Sequence, residues 1–254
     1  MLPNKLKQRL LEKKWCYGVI SPTIDPAVCD YIGLSGMDFY IMDAEHGPLT
    51  LSEATHLIRA CEGVGLTPLA RIHSLDEKII LQYLDAGVMG VMMPGTNTVE
   101  DCRRLVEYVK YYPQGKRGLG PVRSADYMAG KMTQANYLQF SNEQTLVLPM
   151  IETVACLNNL SALVKVEGVD GFILGPRDLA LSMGFTDGPA HDEVKKLIDE
   201  AIAIVVGAGK VFGTVAATAD AAKELTDKGV TLLLNSVQGL LTPSIKAFMK
   251  DRVS

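Results

Sequence analysis

The amino-acid sequence predicts an α/β chain folded as a (β/α)8 barrel, and three features lead there. Short apolar runs alternate with helical repeats eight times along the chain. The runs are nearly continuous rather than alternating apolar with polar, as strands buried on both faces should be. Four of them end in ionisable residues: Phe39-Tyr40-Ile41-Met42-Asp43, which continues as Ala44-Glu45-His46-Gly47-Pro48; 68–71; VLPMIE at 147–152; and GFILGPRD at 171–178. On parallel strands, His46, Arg71, Glu152 and Asp178 converge on one rim, the C-terminal face where barrel enzymes place their chemistry. The chain of 254 residues, 48% hydrophobic, suits one barrel domain over 1–254, because such a barrel takes roughly 250 residues.

The elements follow in order. The opening MLPNKLKQRLLEKKW reads as an amphipathic helix additional to the eight units. Residues 17–20 form a short run closed by Ser21-Pro22, and 25–34 have helical spacing with Pro26 near the start, where its missing N–H does no harm. The run 38–43 is followed by a helix over 51–63, with Thr50 or Ser52 as N-cap and apolar residues at Leu51, Ala54, Leu57, Ile58 and Cys61. Residues 67–72 lead into a helix over 74–86, and 88–93, closed by Pro94-Gly95, into one over 99–111. The rhythm then breaks over 112–145, where PQGKRGLGPVRSADY predicts a long loop of the kind that often serves function. It resumes with 146–151 and a helix through Val164, a strand from Gly171, a loop around 183–189 and a helix over 192–207. Strands over 210–215 and 230–235 alternate with helices over 219–228 and from about Thr242. An open doubly wound sheet is the competing architecture, but no GxGxxG opens a helix after an early strand.

Composition narrows the function classes. A net charge of −4 without a basic cluster argues against nucleic acid or an anionic membrane surface as partner. No uncharged apolar stretch reaches the ~18 residues of a membrane span, and the N-terminus lacks the apolar core and cleavage site of a secretory signal. Cys16, Cys29, Cys61, Cys102 and Cys156 are odd in number, scattered and never in CxxC spacing, as expected of thiols in a reducing cytoplasm.

The chemistry-bearing residues each admit two readings. Glu152 and Asp178 end runs separated by one helix, which puts two carboxylates side by side. They repel unless a cation sits between them, and a hard divalent ion such as Mg²⁺ or Mn²⁺ would take them with water or substrate oxygens. Alternatively each is a first-turn acid on a helix dipole. Arg71 offers a fork that grips a carboxylate and stabilises an oxyanion, or else a salt bridge to Glu45 or Asp43. His46, beside Asp43 and Glu45, suits general acid/base work at neutral pH. Asp85 falls at a helix end just before a strand, hence near the opposite rim or facing solvent. Lys116 and Arg123 either attract an anionic substrate or are exposed charges that merely solvate the long loop. Gly175-Pro176 would bring backbone amides close to a ligand, or is an ordinary turn. Met92-Met93 is core packing.

Together GVISPTIDPAVCDYIG, DFYIMDAEHGP, PLARI, LDAGVMGVMMPGTNT, KRGLGPVRSADY, VLPMIET and VDGFILGPRDLALSMG resemble the metal-dependent (class II) pyruvate aldolases typified by 4-hydroxy-2-oxoheptanedioate (2,4-dihydroxyhept-2-ene-1,7-dioate) aldolase, a family that includes 2-keto-3-deoxy acid sugar aldolases. The likeness runs through most of the chain. It implies a TIM barrel of the phosphoenolpyruvate/pyruvate-domain type, assembled as a homo-trimer or homo-hexamer with the C-terminal helix packed on a neighbouring barrel. It further implies Glu152 and Asp178 as ligands of a divalent ion (Mg, Mn or Co), Arg71 as binder of the pyruvate carboxylate, and His46 as acid/base supported by Asp43 and Asp85. Gly175 and Pro176 would line the substrate site. One departure is Met150, where the family often has Gln. The expected activity is reversible cleavage of a 4-hydroxy-2-oxo acid to pyruvate and an aldehyde. Two other classes stay open: a Claisen-type synthase joining oxaloacetate and acetyl-CoA on the same barrel, and a non-catalytic binding barrel, against which the full set of His46, Arg71, Glu152 and Asp178 speaks. No strand tip carries the lysine that a Schiff-base mechanism needs.

Overall fold

In a computed structural model that describes residues 2–250, the strands are β1 (Cys16–Ser21), β2 (Phe39–Asp43), β3 (Thr67–Arg71), β4 (Gly90–Met93), β5 (Leu146–Ile151), β6 (Gly171–Leu174), β7 (Val211–Val215) and β8 (Leu232–Ser236). Each pairs in parallel with the next, and β8 pairs with β1 to close the barrel. The helices are α1 (Lys5–Leu11), α2 (Pro26–Leu34), α3 (Leu51–Val64), α4 (Glu77–Ala86), α5 (Val99–Val109), α6 (Gln134–Gln144), α7 (Val154–Leu163), α8 (Pro176–Ser182), α9 (Asp192–Gly207), α10 (Ala219–Asp227) and α11 (Val237–Phe248).

Strand parity divides the core into two shells. Alternate side chains point to opposite faces, so Phe39, Ile41, Leu69, Met92, Leu146, Leu148, Met150, Ile173, Leu232 and Leu234 fill the barrel interior. Their neighbours Tyr40, Met42, Ala70, Val91, Met93, Val147, Ile151, Phe172, Leu174, Phe212 and Leu233 face the helices. Glycine makes room in the crowded interior: a Cβ on Gly18 would stand 2.5 Å from the Phe39 ring. Leu6 and Leu10 of α1 join the interior cluster, and the Asn4 side chain, which caps α1, also donates to the Met89 carbonyl just before β4. The extra N-terminal helix thus stoppers the N-terminal mouth, leaving the C-terminal mouth open.

The eight units stand as predicted, with local differences. The helix expected over 74–86 begins at Glu77, because Asp76 accepts the N–H groups of Lys78 and Ile79 and fixes the first turn there. The expected long loop contains α6 and a 3-10 turn (Arg123–Met128). The last helix starts at Val237 rather than near Thr242, capped by Ser236 at the end of β8; Gly239 and Pro243 had masked its first turns in the sequence. Asp178 does not end a strand: β6 stops at Leu174, and Asp178 lies in the first turn of α8.

Candidate active site

The inward parity of the strands continues past their last apolar residue. Phe39 and Ile41 are followed inward by Asp43, Leu69 by Arg71, Leu148 and Met150 by Glu152, and Ile173 by Gly175. The uppermost layer of the barrel is therefore charged. Asp43 and Arg71 lie opposite each other in the β2–β3 register. Arg71 Nε donates to Asp43 Oδ1 at 2.9 Å and Nη2 to Oδ2 at 2.6 Å, a bidentate pair with side chains only 10% and 7% exposed. Burial would raise the Asp43 carboxyl, but the Arg71 fork and the amides of His46 and Glu45 hold it below the usual range. Burial likewise opposes charge on Arg71, and Asp43 more than restores it. The salt-bridge reading of Arg71 is thus realised twice, with Asp43 and, at 3.2 Å through Nη1, with Glu45.

Glu152 follows β5 directly, and its Oε1 accepts the Gly95 amide at 2.6 Å. Burial pushes its carboxyl up, and the negative charges of Glu45 and Asp178 push it further. Gly175 adjoins both acidic side chains: a Cβ there would stand 3.5 Å from Asp178 Oδ2, 3.6 Å from Glu152 Cβ and 3.3 Å from the Met150 methyl. Repelling carboxylates around a space kept clear of side chain fit a hard cation. Among the described residues no group of three or more His, Cys, Asp or Glu is arranged to hold a metal. Two acids alone would leave the other positions of such an ion to water or substrate oxygens.

His46 sits on the turn after β2. Asp43 Oδ1 accepts its backbone N–H and that of Glu45, each at 3.1 Å, so Asp43 supports His46 through the main chain rather than through the ring. The imidazole is 66% exposed, and its Nε2 lies 3.9 Å from Glu45 Oε2. Glu45, which the sequence suggested only as a salt-bridge partner, thus stands beside both Arg71 and His46.

Three other candidates lie elsewhere. Asp85 is in the last turn of α4, which returns the chain to the start of β4, so it lies at the N-terminal mouth. There it accepts Arg117 Nη2 at 3.0 Å, and burial raises its carboxyl despite that arginine. The support of His46 by Asp85 implied by the family resemblance is not formed within one chain; the helix-end placement read from the residues holds. Because the 112–145 segment follows a helix, it also lies at that mouth. Lys116 pairs with Glu107 at 2.8 Å, and Arg123 pairs with Glu62 and donates to the Ala86 carbonyl, so neither reaches the charged rim. Gly95 was missed as a site residue, although the Pro94-Gly95 stop after β4 marks a backbone amide near the rim.

A family model described as HpcH/HpaI aldolase/citrate lyase matches residues 17–242. A hydroxypyruvate/pyruvate aldolase of Cupriavidus necator is 31% identical over 240 residues, covering 94% of this chain and 88% of that protein. The crystal structure of an HpcH/HpaI aldolase from Desulfitobacterium hafniense superposes with a TM-score of 0.91 at 28% identity, covering 98% and 97% of the two chains. That of the citrate synthase SbnG does so with a TM-score of 0.88 at 27% identity, covering 96% of each.

Proposed function

The chain belongs to the HpcH/HpaI aldolase/citrate lyase family, and from that premise we propose that it is a lyase that reversibly cleaves a 4-hydroxy-2-oxo acid to pyruvate and an aldehyde, using a divalent ion held by Glu152 and Asp178. The observation that carries this reading is the charged layer itself, in which the paired acids and the Arg71 guanidinium share one open barrel mouth. When bound, the ion supplies Lewis-acid polarisation of the 2-oxo group. Arg71, anchored by Asp43, presents positive charge to the substrate carboxylate and to the oxygen on which negative charge grows as the C3–C4 bond breaks. His46 accepts the proton of the C4 hydroxyl, and the electron pair of the broken bond passes into the pyruvate enolate. Protonation at C3 then releases pyruvate. Exposure suits His46 to this task, since the aldehyde half must enter and leave past it.

Pyruvate release, followed over a panel of 4-hydroxy-2-oxo acids with and without EDTA, tests the proposal. Cleavage of at least one member, lost with EDTA and restored by Mg²⁺, Mn²⁺ or Co²⁺, is the expected result. EDTA-insensitive cleavage would remove the metal from the reading. Likeness to the citrate synthase favours a second reading, Claisen-type condensation of oxaloacetate with acetyl-CoA; citrate formed from that pair would select it. Operation in the cytoplasm is consistent with five free, buried cysteines.

A further inference from the structure

Glu45 is the one acid of the charged layer that the scheme above does not use. Its Oε2 is shielded from solvent and has no protein hydrogen-bond donor in good geometry. Arg71 Nη1 lies 3.2 Å away but out of line, and His46 Nε2, at 3.9 Å, is beyond hydrogen-bonding distance. A shielded carboxylate oxygen demands a donor, and the groups around it identify which. Its ion-pair partner Arg71 points into the same barrel mouth as Glu152, since both follow inward-facing strand residues, Leu69 and Met150. Glu45 is not close enough to the paired acids to complete a three-residue metal cluster, since none exists among the described residues.

We propose that Glu45 is a positioning residue of the divalent-ion site, its Oε2 accepting a hydrogen bond from a water of the ion's shell rather than binding the ion itself. This rests on the ion reading of Glu152 and Asp178. Mg²⁺ and Mn²⁺ keep several waters when only one or two carboxylates bind them, and a carboxylate one water away orients that shell. Arg71 Nη1, 3.2 Å away, holds the Glu45 carboxylate in place, and Asp43 pins the turn that carries it. One acidic residue thereby links the arginine that meets the substrate to the ion that the paired acids hold.

The test is titration of Mn²⁺ into the full chain stripped with EDTA, by calorimetry, for wild type, Glu45→Gln, Glu45→Asp and Glu152→Gln. Wild type should bind Mn²⁺ and Glu152→Gln should not; failure of wild type to bind would sink the underlying ion reading and this inference with it. Given wild-type binding, Glu45→Gln should weaken affinity 10- to 100-fold, the usual effect of losing an outer carboxylate. Glu45→Asp, which keeps the charge but withdraws it by one methylene, should fall between. Affinity within twofold of wild type in both variants would overturn the proposal. At saturating Mn²⁺, water-proton relaxation should also differ between wild type and Glu45→Gln, because the bridged water exchanges differently. Unchanged relaxation would reduce Glu45 to a distant charge and refute the water bridge.

Discussion

Arg71 and His46 stand on the same rim but in opposite physical situations, and this separates their roles. The guanidinium is buried and held at fixed angles by a bidentate partner, whereas the imidazole is largely exposed on a turn. A rigid cation suits charge that develops at a fixed oxygen; an exposed ring suits a proton that must exchange with solvent. Oxaloacetate decarboxylation passes through the same pyruvate enolate but has no C4 hydroxyl proton to move. His46→Ala should therefore lose aldol cleavage by roughly 10²- to 10⁴-fold, the usual worth of a general base, while decarboxylation falls far less. Arg71→Ala should depress both reactions, and it should also destabilise the fold by about 3–5 kcal/mol, because it strands Asp43 as a buried unpaired charge. Equal losses of both reactions in His46→Ala, measured at matched folded concentration, would move the acid/base to another residue. Arg71 and Glu152 could be placed at the rim from the sequence because each follows an apolar run with inward parity, and His46 because it lies in the Gly-Pro-stopped turn that ends the β2 run. The special position of Glu45 was not legible, since pattern cannot reveal that a carboxylate oxygen lacks a donor.

Among the elements, α6 shows why a helix can be invisible to periodicity. Its sequence QANYLQFSNEQ buries only Tyr137, Ser141 and Asn142, so it has no apolar stripe for a pattern to find. Polar ties hold it in place. Asn142 accepts the Tyr111 N–H at 2.7 Å and donates to the Tyr111 carbonyl at 2.9 Å. Lys110, the residue closing α5, donates to the carbonyls of Asn142 and Thr145 at 2.7 and 2.6 Å. Burial pushes the Lys110 ammonium down to about 8. The unfolded chain, with an ordinary lysine near ~10.4, then binds more protons than the folded one between these values, so this group's contribution to stability rises with pH across that window and its penalty is complete below it. Urea unfolding of wild type and Lys110→Met from pH 7.5 to 10 checks the sign. The stability difference should shift in favour of wild type as pH rises; a difference independent of pH would show that the lysine stays charged in the fold.

For the whole molecule, eight parallel units were legible because each strand is a continuous apolar run between turn signals, and closure followed from their number. How the last helix meets the barrel was not legible, because that depends on what covers its apolar face. In α11 only Val237 is buried, whereas Leu241, Ile245 and Phe248 are 53%, 53% and 93% exposed. An apolar groove of about 220 Å³, lined among others by Tyr17, Met37, Ala222, Leu233 and Leu240, opens beside the same helix between β1, β8 and α10. A protruding apolar helix next to an apolar groove is what a subunit interface leaves on a single chain, because soluble monomers rarely expose contiguous patches of this kind. We propose that the trimer or hexamer implied by the family resemblance makes its contacts at α11. Light scattering at micromolar concentration should report one of these species. Ile245→Asp with Phe248→Asp puts charge on the helix face that one barrel leaves uncovered, so the double variant should dissociate while its far-UV circular dichroism stays that of the wild type. A wild-type monomer would refute the assembly, and a double variant that stays fully assembled would remove α11 from its interface.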